Sequence, residues 1–327
     1  MTQHHDRLVA IHEFMKEELL HFENAMKKHL SSGTKKIEDI SQHIINGGGK
    51  KIRPLIVLAV ARTCGYQGLL HADLAAMIEL IHVATLLHDD VVDEGSLRRG
   101  GKTANAVFGN AVSILVGDFL YTRAFQIMVQ VKAQEILEVM SEATNKTAEG
   151  EVIQLVHNKH LELKRQDYMD IIDKKTAQIF CAAAQVGSII AESSLDNQKK
   201  WANYGYNIGM AFQLMDDLLD YTANPKLSGK VTGQDLSEGK VTLPIIHALE
   251  QSSSEEKQII SEIMSQKSVK NLDKIRHILH KKCSLEYVHQ QAVHFSQKAK
   301  EAIEEVVDSQ FKSILLELAD FTVNRHR

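Results

Sequence analysis

Residues 86–94 read Leu-Leu-His-Asp-Asp-Val-Val-Asp-Glu and place an acidic cluster at the end of a long apolar segment. Asp89 and Asp93 are four residues apart, so on a helix they share a face with their Cβ atoms about 5–6 Å apart. Asp90 lies beside them, and three aspartates in this position are unfavourable unless a cation compensates their charge. The mostly apolar segment that leads into them, from residue 72 to residue 93, predicts a buried central helix.

A second stretch repeats the pattern, since residues 212–220 read Phe-Gln-Leu-Met-Asp-Asp-Leu-Leu-Asp. Asp216 and Asp220 again stand at the i, i+4 spacing, with Asp217 between them. One such cluster is as often a solvated helix end as a functional site. Two clusters, each closing an apolar helical run, favour one site built from two facing helices.

The composition of the 327 residues is that of a globular protein, with a hydrophobic fraction of 44% and a formal net charge of −4. This charge gives no reason to expect nucleic-acid binding. Cys64, Cys181 and Cys283 form neither a zinc-binding nor a paired spacing, so we expect reduced thiols in a cytoplasmic protein. The first residues lack the apolar core of a signal peptide, and no apolar run of about eighteen residues predicts a membrane span.

Helical spacing of apolar residues runs through most of the chain, which contains only three prolines. The predicted helices span residues 6–30, 36–45, 54–62, 72–93, 111–130, 133–157, 167–193 and 199–222, followed by three or four that end near Asn324. Residues 224–239 are polar and glycine-bearing, which predicts a long loop of the kind that often forms a lid. No strand, repeat or linker is evident, so we predict one all-α domain over residues 1–327.

Carboxylates at this spacing suit Mg²⁺, which is usually bound by a few carboxylates together with substrate phosphates. Zinc would favour histidine and cysteine ligands, which the two clusters lack. Cations lie nearby, because Arg98 and Arg99 follow the first cluster and arginine suits bidentate phosphate binding. Residues 47–54, Gly-Gly-Gly-Lys-Lys-Ile-Arg-Pro, combine a glycine turn, three cations and a helix start that favours an anion, although such a segment is as often a basic surface loop.

With both acidic clusters, GGGKKIRP, Arg98-Arg99 and FQLMDD in view, the chain resembles the trans-isoprenyl diphosphate synthases, in particular their long-chain branch. The resemblance runs from about residue 5 to the C-terminus and is densest over residues 82–123 and 212–244. It implies an all-α helical bundle with a central active-site cavity, usually a homodimer. It also implies Mg²⁺-dependent, successive condensation of isopentenyl diphosphate onto an allylic diphosphate such as farnesyl diphosphate. The implied product is of octaprenyl length and supplies a quinone side chain.

The resemblance also implies roles for single residues. The residues that would bind Mg²⁺ are Asp89, Asp90, Asp93, Asp216, Asp217 and Asp220. The residues that would grip the allylic diphosphate or its leaving group are Arg98, Lys175, Thr176, Gln213, Lys230 and Lys240. The residues that would bind isopentenyl diphosphate are Lys50, Arg53, His82 and Arg99. The residues expected to contribute most to catalysis are Asp89, Asp93, Arg98, Lys175, Asp216 and Asp220.

The chain differs from many members of the family in having Lys50-Lys51 where they have a Lys-Arg pair. This difference replaces one cationic side chain with another. The resemblance implies that the growing hydrocarbon runs from Asp89 back along the helix that carries this residue. The size of the side chains on that path should therefore limit the product length. Ala84 and Thr85, one turn back, are small, whereas a bulky aromatic residue there gives short products in this family. We therefore expect an open tunnel, for which Phe119, Phe125 and Met128 are candidate floor residues that would otherwise be ordinary core.

Other interpretations compete with this one. A synthase of shorter or longer products would carry the same motifs. The patterns Glu79-x-x-His82 and Glu286-x-x-His289 also occur in di-iron carboxylate helical bundles, a different class of protein. A di-iron site does not require the GGGKKIRP segment or a pair of arginines. A non-catalytic subunit usually loses an aspartate cluster, and a terpene cyclase usually lacks the cations that bind isopentenyl diphosphate.

Overall fold

A computed structural model describes residues 3–46, 49–98, 101–157, 161–223, 232–266 and 268–325. Over these ranges the chain is almost entirely helical, which confirms the all-α prediction. The predicted helix over residues 72–93 is observed as Leu70–Val92, and that over residues 111–130 as Asn110–Val131. The apolar spacing therefore located these two helices to within two residues at each end.

The helices as far as the second acidic cluster are α1 (Gln3–Phe14), α2 (Lys16–Leu30), α3 (Lys35–Asn46), α4 (Ile52–Thr63), α5 (Leu70–Val92), α6 (Ala104–Phe108), α7 (Asn110–Val131), α8 (Gln134–His157), α9 (Arg165–Ile172), α10 (Gln178–Ile189) and α11 (Leu195–Thr222). Those after it are α12 (Gln234–Glu238), α13 (Leu243–Glu250), α14 (Ser254–Ser265), α15 (Leu272–Lys281), α16 (Ser284–Ala302) and α17 (Gln310–Asn324). A π-helical turn, Asp173–Ala177, joins α9 to α10, and a 3₁₀ turn, Val269–Asn271, precedes α15.

Four local predictions need correction. The helix predicted over residues 6–30 is two helices, because the backbone at Met15 leaves the helical region between α1 and α2. The helix predicted over residues 167–193 is interrupted by the π-helical turn. Two short antiparallel strands, β1 (Leu97–Arg98) and β2 (Gly101–Lys102), occur where none was expected. Part of the predicted loop over residues 224–239 is helical, as α12, while residues 224–231 lie outside the described ranges.

The chain divides into two compact units, each made of three segments. Unit 1 contains Met1–Glu142, Phe180–Gly205 and Glu305–Leu318. Unit 2 contains Ala143–Ile179, Tyr206–Glu304 and Ala319–Arg327. The single domain inferred from the sequence stays a prediction.

Helix α5 forms the centre of unit 1, where it packs against α2, α4 and α7. Its apolar side chains are buried nearly all round, as its composition predicts. Glycines bring other backbones of this unit close together. A methyl group at Gly187 of α10 would lie 2.8 Å from the carbonyl oxygen of Val57, and one at Gly205 would lie 2.2 Å from that of Phe180. These contacts fix helix spacing that a larger residue would widen.

A buried ion cluster holds α2, α4 and the start of α5 together in unit 1. Arg62 Nε donates to Glu18 Oε1 at 2.5 Å, and Arg62 Nη1 donates to the carbonyl oxygen of Tyr66 at 2.5 Å. His71 Nε2 lies 2.6 Å from Glu18 Oε2. Burial alone would raise the pKa of Glu18, but the hydrogen bonds and charges of His71 and Arg62 lower it to about 2. Glu18 is therefore held as a carboxylate.

The core of unit 2 consists of α9, the inner part of α11 and helices α13 to α16. Its buried side chains include Tyr168, Leu214, Ile245 and Leu279. Helix α14 begins with a capping box, in which Ser253 and Glu256 each accept a hydrogen bond from the other's backbone N–H. Local sequence signals thus agree with the packing in this unit.

Two helices of the described residues, α5 and α7, are long and apolar enough to cross a membrane by length and composition alone. A core helix of a soluble protein meets the same criteria. Most of the apolar stretch of α5 is buried inside unit 1, whereas α7 keeps more of its surface exposed.

Candidate active site

The first aspartate cluster closes α5 in unit 1. Asp93 caps the helix, and its N–H donates to the carbonyl oxygen of Asp89 at 2.8 Å, so the helical i, i+4 relation holds through the cluster. Asp89 and Asp93 are both partly exposed, whereas Asp90 is buried. The expected shared face is therefore observed, and Asp90 points away from it.

Asp90 organises the segment that follows α5. Arg98 donates from Nε to Asp90 Oδ1 at 2.8 Å, and Arg98 Nη2 lies 2.7 Å from the same oxygen. The backbone carbonyl of Asp90 accepts hydrogen bonds from Asn105 Nδ2 and from the N–H of Gly95, each at 2.9 Å. Burial raises the pKa of Asp90, while Arg98 acts in the opposite direction. Asp90 thus positions an arginine beside Asp89 and Asp93 in addition to its predicted role at a metal.

His88 links the aspartate helix α5 to α7 within unit 1. Its ring lies against Gly117, where a methyl group would be 2.2 Å from His88 Nε2. The same nitrogen lies 3.2 Å from the carbonyl oxygen of Ile114, and the ring stacks on that of Tyr121 with centroids 6.1 Å apart. Gly117 therefore leaves room for the His88 ring between the two helices beside Asp89.

The residues predicted to control product length lie on α5 and α7. Ala84 and Met128 are buried, whereas Thr85 is partly exposed and donates its hydroxyl to the carbonyl oxygen of His82 at 2.8 Å. Phe119 is partly exposed, and Phe125 lies on the exposed surface of α7. Of the two small residues, Thr85 therefore has surface available to a hydrocarbon chain, whereas Ala84 does not.

The cationic segment before α4 also belongs to unit 1. Lys51 has a left-handed backbone, with φ of 49°, at the start of the helix, and its Nζ lies 2.9 Å from Glu23 Oε1. Arg53 is partly buried and stacks over the ring of Phe180, with its Cζ 4.4 Å from the centroid. The carbonyl oxygen of Lys50 lies 3.3 Å from His12 Nε2. Gly47, Gly48 and the predicted ligand Arg99 lie outside the described ranges.

The second aspartate cluster lies on the part of α11 that belongs to unit 2, and its members have different surroundings. The side chain of Asp216 is 31% exposed, and Asp216 Oδ1 lies 2.9 Å from Nη1 of Arg325. Asp217 is buried, with 4% of its surface exposed. Asp220 is partly exposed. The three predicted metal ligands are thus not equivalent.

Asp217 belongs to a buried hydrogen-bond network. Tyr168 on α9 donates to Asp217 Oδ2 at 2.5 Å, and Gln213 donates from Nε2 to Asp217 Oδ1 at 2.7 Å. Thr176 in turn donates its hydroxyl to Gln213 Oε1 at 2.9 Å. Burial raises the pKa of Asp217 to about 7, with the charges of Asp216 and Asp220 acting in the same direction. The network joins three predicted site residues, Thr176, Gln213 and Asp217.

Asp220 caps the short helix α12. Its Oδ1 accepts from the N–H of Gln234, and its Oδ2 from the N–H of Asp235, each at 3.0 Å. Its backbone carbonyl accepts from the N–H of Gly233, a residue with a φ of 83° that favours glycine. Burial raises the pKa of Asp220, and the three backbone donors oppose that rise. Asp220 therefore fastens the segment that leads to Lys240.

The predicted diphosphate-binding cations of unit 2 lie at two irregular positions. Lys175 and Thr176 are in the π-helical turn, a feature frequently found at functional sites. The turn packs closely on Gly150, where a methyl group would be 2.5 Å from the backbone nitrogen of Lys175. Lys175 Nζ contacts Glu151 and Gln154, each at 2.6 Å. Lys240 Nζ lies 2.6 Å from Glu238 Oε2, and Lys230 lies outside the described ranges.

The described residues contain no group of three or more His, Cys, Asp or Glu side chains that could hold a metal ion by themselves. The donors that are present suit a hard cation, because both clusters supply carboxylate oxygens from partly exposed aspartates, Asp89, Asp93 and Asp216. Mg²⁺ is commonly held by one or two carboxylates together with waters and substrate phosphates. The donors of each cluster therefore fit a cation that shares its ligands with a diphosphate.

Sequence reasoning missed three residues that support these clusters, namely Tyr168, Asn105 and Arg325. None belongs to the motifs that carried the analysis. One signal was available for Tyr168, which lies about two helical turns before Thr176 in a predicted helix. No comparable signal was available for Arg325, because it follows α17 far along the chain from Asp216.

Comparison with known proteins agrees with this arrangement. The sequence model described as Polyprenyl synthetase matches residues 34–282, which is more than half of the chain. The chain belongs to the polyprenyl synthetase family. It is therefore a prenyltransferase, as the motifs predict, and the di-iron interpretation is not favoured.

Relatives of this polyprenyl synthetase are similar over nearly their whole length. The octaprenyl diphosphate synthase of Escherichia coli strain K12 is 43% identical over 321 residues, which are 98% of this chain and 99% of the relative. The octaprenyl diphosphate synthase of Haemophilus influenzae is 44% identical over 298 residues, 91% of each chain. The crystal structure of a polyprenyl synthase from Caulobacter crescentus with calcium and isoprenyl diphosphate matches with a TM-score of 0.93, at 36% identity and 98% coverage of both chains.

Proposed function

We propose that this prenyltransferase is a long-chain all-trans polyprenyl diphosphate synthase that makes an octaprenyl product. The proposal is supported by identities of 43% and 44% to proteins named octaprenyl diphosphate synthase. Its substrates are isopentenyl diphosphate and an allylic diphosphate, with farnesyl diphosphate as the primer. The long apolar product suits the side chain of a quinone. A synthase with a shorter or longer product is the second candidate, because the same aspartate clusters would serve it.

Mg²⁺ is the proposed cofactor, and when bound it neutralises the negative charge that develops on the departing diphosphate. The observation that carries this proposal is the pair of aspartate clusters with partly exposed carboxylates and an arginine in contact with each. Asp89 and Asp93 are the proposed Mg²⁺ ligands of unit 1, and Asp216 is the proposed Mg²⁺ ligand of unit 2. Asp90, Asp217 and Asp220 hold the surrounding segments, which agrees with their internal hydrogen bonds.

The remaining cations bind and orient the substrates. The residues that grip the allylic diphosphate are Arg98, Lys175, Thr176, Gln213, Lys230 and Lys240. Thr176 and Gln213 are held in place by the buried network of Asp217. Isopentenyl diphosphate is bound by Lys50, Arg53, His82 and Arg99. Positive groups held in place before reaction stabilise the leaving group without reorganisation. The double bond of isopentenyl diphosphate then attacks the allylic cation, and the released diphosphate accepts the proton that is lost.

We propose that the protein acts as a cytoplasmic homodimer. Cys64, Cys181 and Cys283 do not form disulfide bonds, which supports the cytoplasmic location. An exposed apolar face of α7 supports the dimer, because Leu115 is 67% exposed and Val129 65%, on the same side of the helix as Phe125. Exposed apolar faces of this kind commonly mark protein–protein contacts. Sedimentation velocity of the purified chain measures its oligomeric state, and a monomer at micromolar concentration would contradict the dimer.

Incubation with Mg²⁺, farnesyl diphosphate and labelled isopentenyl diphosphate tests the proposed reaction. We expect incorporation of label into a product of eight isoprene units, sized by chromatography after removal of the diphosphate. Asp89→Ala should lower turnover by at least about 100-fold, because it removes a carboxylate that acts on the developing charge. Asp196→Ala is the control, since Asp196 is a highly exposed aspartate in the first turn of α11. Absence of incorporation by the unaltered protein would refute the proposal.

A further inference from the structure

Arg325 is a buried arginine close to the C-terminus in unit 2. Its side chain is 2% exposed. Its Nη1 lies 2.9 Å from Asp216 Oδ1, and its Nη2 donates to the carbonyl oxygen of Phe212 at 2.5 Å. Its Nε donates to the carbonyl oxygen of Thr322 at 3.2 Å. The guanidinium also stacks on the ring of Phe212, with Cζ 3.9 Å from the centroid. The group is therefore fixed by its own helix end and by α11.

The contact with Asp216 is the one that concerns the reaction. Asp217 is engaged by Tyr168 and Gln213, and Asp220 by the backbone of α12. Asp216 is the partly exposed aspartate of the cluster whose carboxylate contacts an arginine. Planar guanidinium donors restrict the orientation of a carboxylate more than a lysine does. A group that orients a metal ligand in this way commonly changes metal affinity or activity by 10- to 100-fold when it is removed.

We propose that Arg325 is a positioning residue for Asp216, so that the C-terminal residues support the second aspartate cluster. This inference rests on the proposed function of Asp216 in binding the cation. Because Nη2 and Nε are engaged by backbone carbonyls, the guanidinium keeps its place when a diphosphate arrives. Asp216 is thereby held in one rotamer, and part of its negative charge is balanced before the cation binds.

A purely structural role predicts something different. Arg325 also ties the end of α17 to α11 through Thr322 and Phe212. If that tie were its whole role, removing Arg325 would lower the melting temperature by a similar amount whatever residue stands at position 216. The dependence of the enzyme on Mg²⁺ would then stay unchanged.

The test compares Arg325→Gln, Asp216→Asn and the double variant with the unaltered enzyme. Two quantities are measured, the Mg²⁺ concentration for half-maximal turnover and the rise in melting temperature caused by Mg²⁺ with inorganic pyrophosphate. Arg325→Gln should raise the half-saturating Mg²⁺ concentration about 10- to 100-fold and reduce the thermal shift. In the Asp216→Asn background the same substitution should change either quantity by less than about threefold, because coupled residues are not additive.

Arg165→Gln is the matched control, because Arg165 is an arginine of the same unit that pairs with Glu250 and Tyr287. It should leave the Mg²⁺ dependence unchanged. If Arg325→Gln does not fold, Arg325→Lys keeps the charge and the apolar stem, and it should still raise the Mg²⁺ requirement. An unchanged Mg²⁺ dependence, or equal losses in both backgrounds, would overturn the inference. Failure of the proposed function would show instead as no incorporation by the unaltered enzyme, and the thermal-shift comparison would still apply.

Discussion

Replacing Asp217 with Asn should remove a loss of stability that the metal-free protein suffers as the pH rises, while impairing the enzyme. The carboxyl group of Asp217 is almost completely buried, and burial raises its pKa from the ordinary 3.8 to about 7. A carboxyl group whose pKa is higher in the folded state than in the unfolded state stabilises the fold while it is protonated. This contribution to the free energy of unfolding is complete below the unfolded-state pKa and is lost as the pH rises through the folded-state pKa. A shift of about three pH units corresponds to about 4 kcal/mol, of which about 2–3 kcal/mol is lost between pH 5 and pH 8.5.

The Asn side chain has nearly the same shape but does not ionise, so it escapes this loss. The free energy of unfolding is measured in urea with EDTA present, at pH 5 and at pH 8.5. Its decrease between these two pH values should be about 2–3 kcal/mol smaller for Asp217→Asn than for the unaltered protein. Asp273→Asn is the control, because the side chain of Asp273 is 96% exposed. Its stability difference from the unaltered protein should be the same at both pH values. An Asp217→Asn difference that does not change with pH would refute the reasoning.

The remaining predictions concern unit 1. Glu18→Gln should lower the free energy of unfolding at pH 7 by roughly 3 kcal/mol, because His71 and Arg62 hold the folded pKa of Glu18 at about 2 against an ordinary 4.5. This contribution is present above pH 4.5 and is lost as the pH falls toward 2, so urea unfolding at pH 3 and pH 7 should show a smaller effect of the substitution in acid. Thr85→Phe should shorten the product, because it places an aromatic ring one turn before Asp89 at the small residue that is partly exposed, and product sizing by chromatography checks this. An unchanged product length would show that the hydrocarbon does not pass residue 85.

The helices could be predicted from the sequence because apolar periodicity is a local property. Helix α5 was located closely for this reason, and the i, i+4 spacing correctly placed Asp89 and Asp93 on one face. The break at Met15 could not be predicted, because neither glycine nor proline marks it. The π-helical turn at residues 173–177 also has no local breaker, and its tight contact with Gly150 depends on a different helix.

The different surroundings of the aspartates could not be predicted either. Spacing along a helix gives the face on which each carboxylate lies, but burial depends on what packs against that face. The partner of Asp217 is Tyr168, 49 residues earlier in the chain, and Arg325 reaches the backbone of Phe212 across 113 residues. These contacts arise from tertiary packing, which the motif alone does not encode. The resemblance suggested the candidate site residues because related chains share that packing.

The contact between His88 and Gly117 has a consequence for interpreting natural variation. Gly117 has no side chain that could take part in catalysis, yet any larger residue there would displace an imidazole adjacent to Asp89. A substitution at Gly117 would consequently change the surroundings of Asp89 through His88, whose ring must rotate away from a methyl group 2.2 Å from its Nε2. Residues 88 and 117 should therefore covary among related chains, with a smaller residue at position 88 where position 117 carries a side chain.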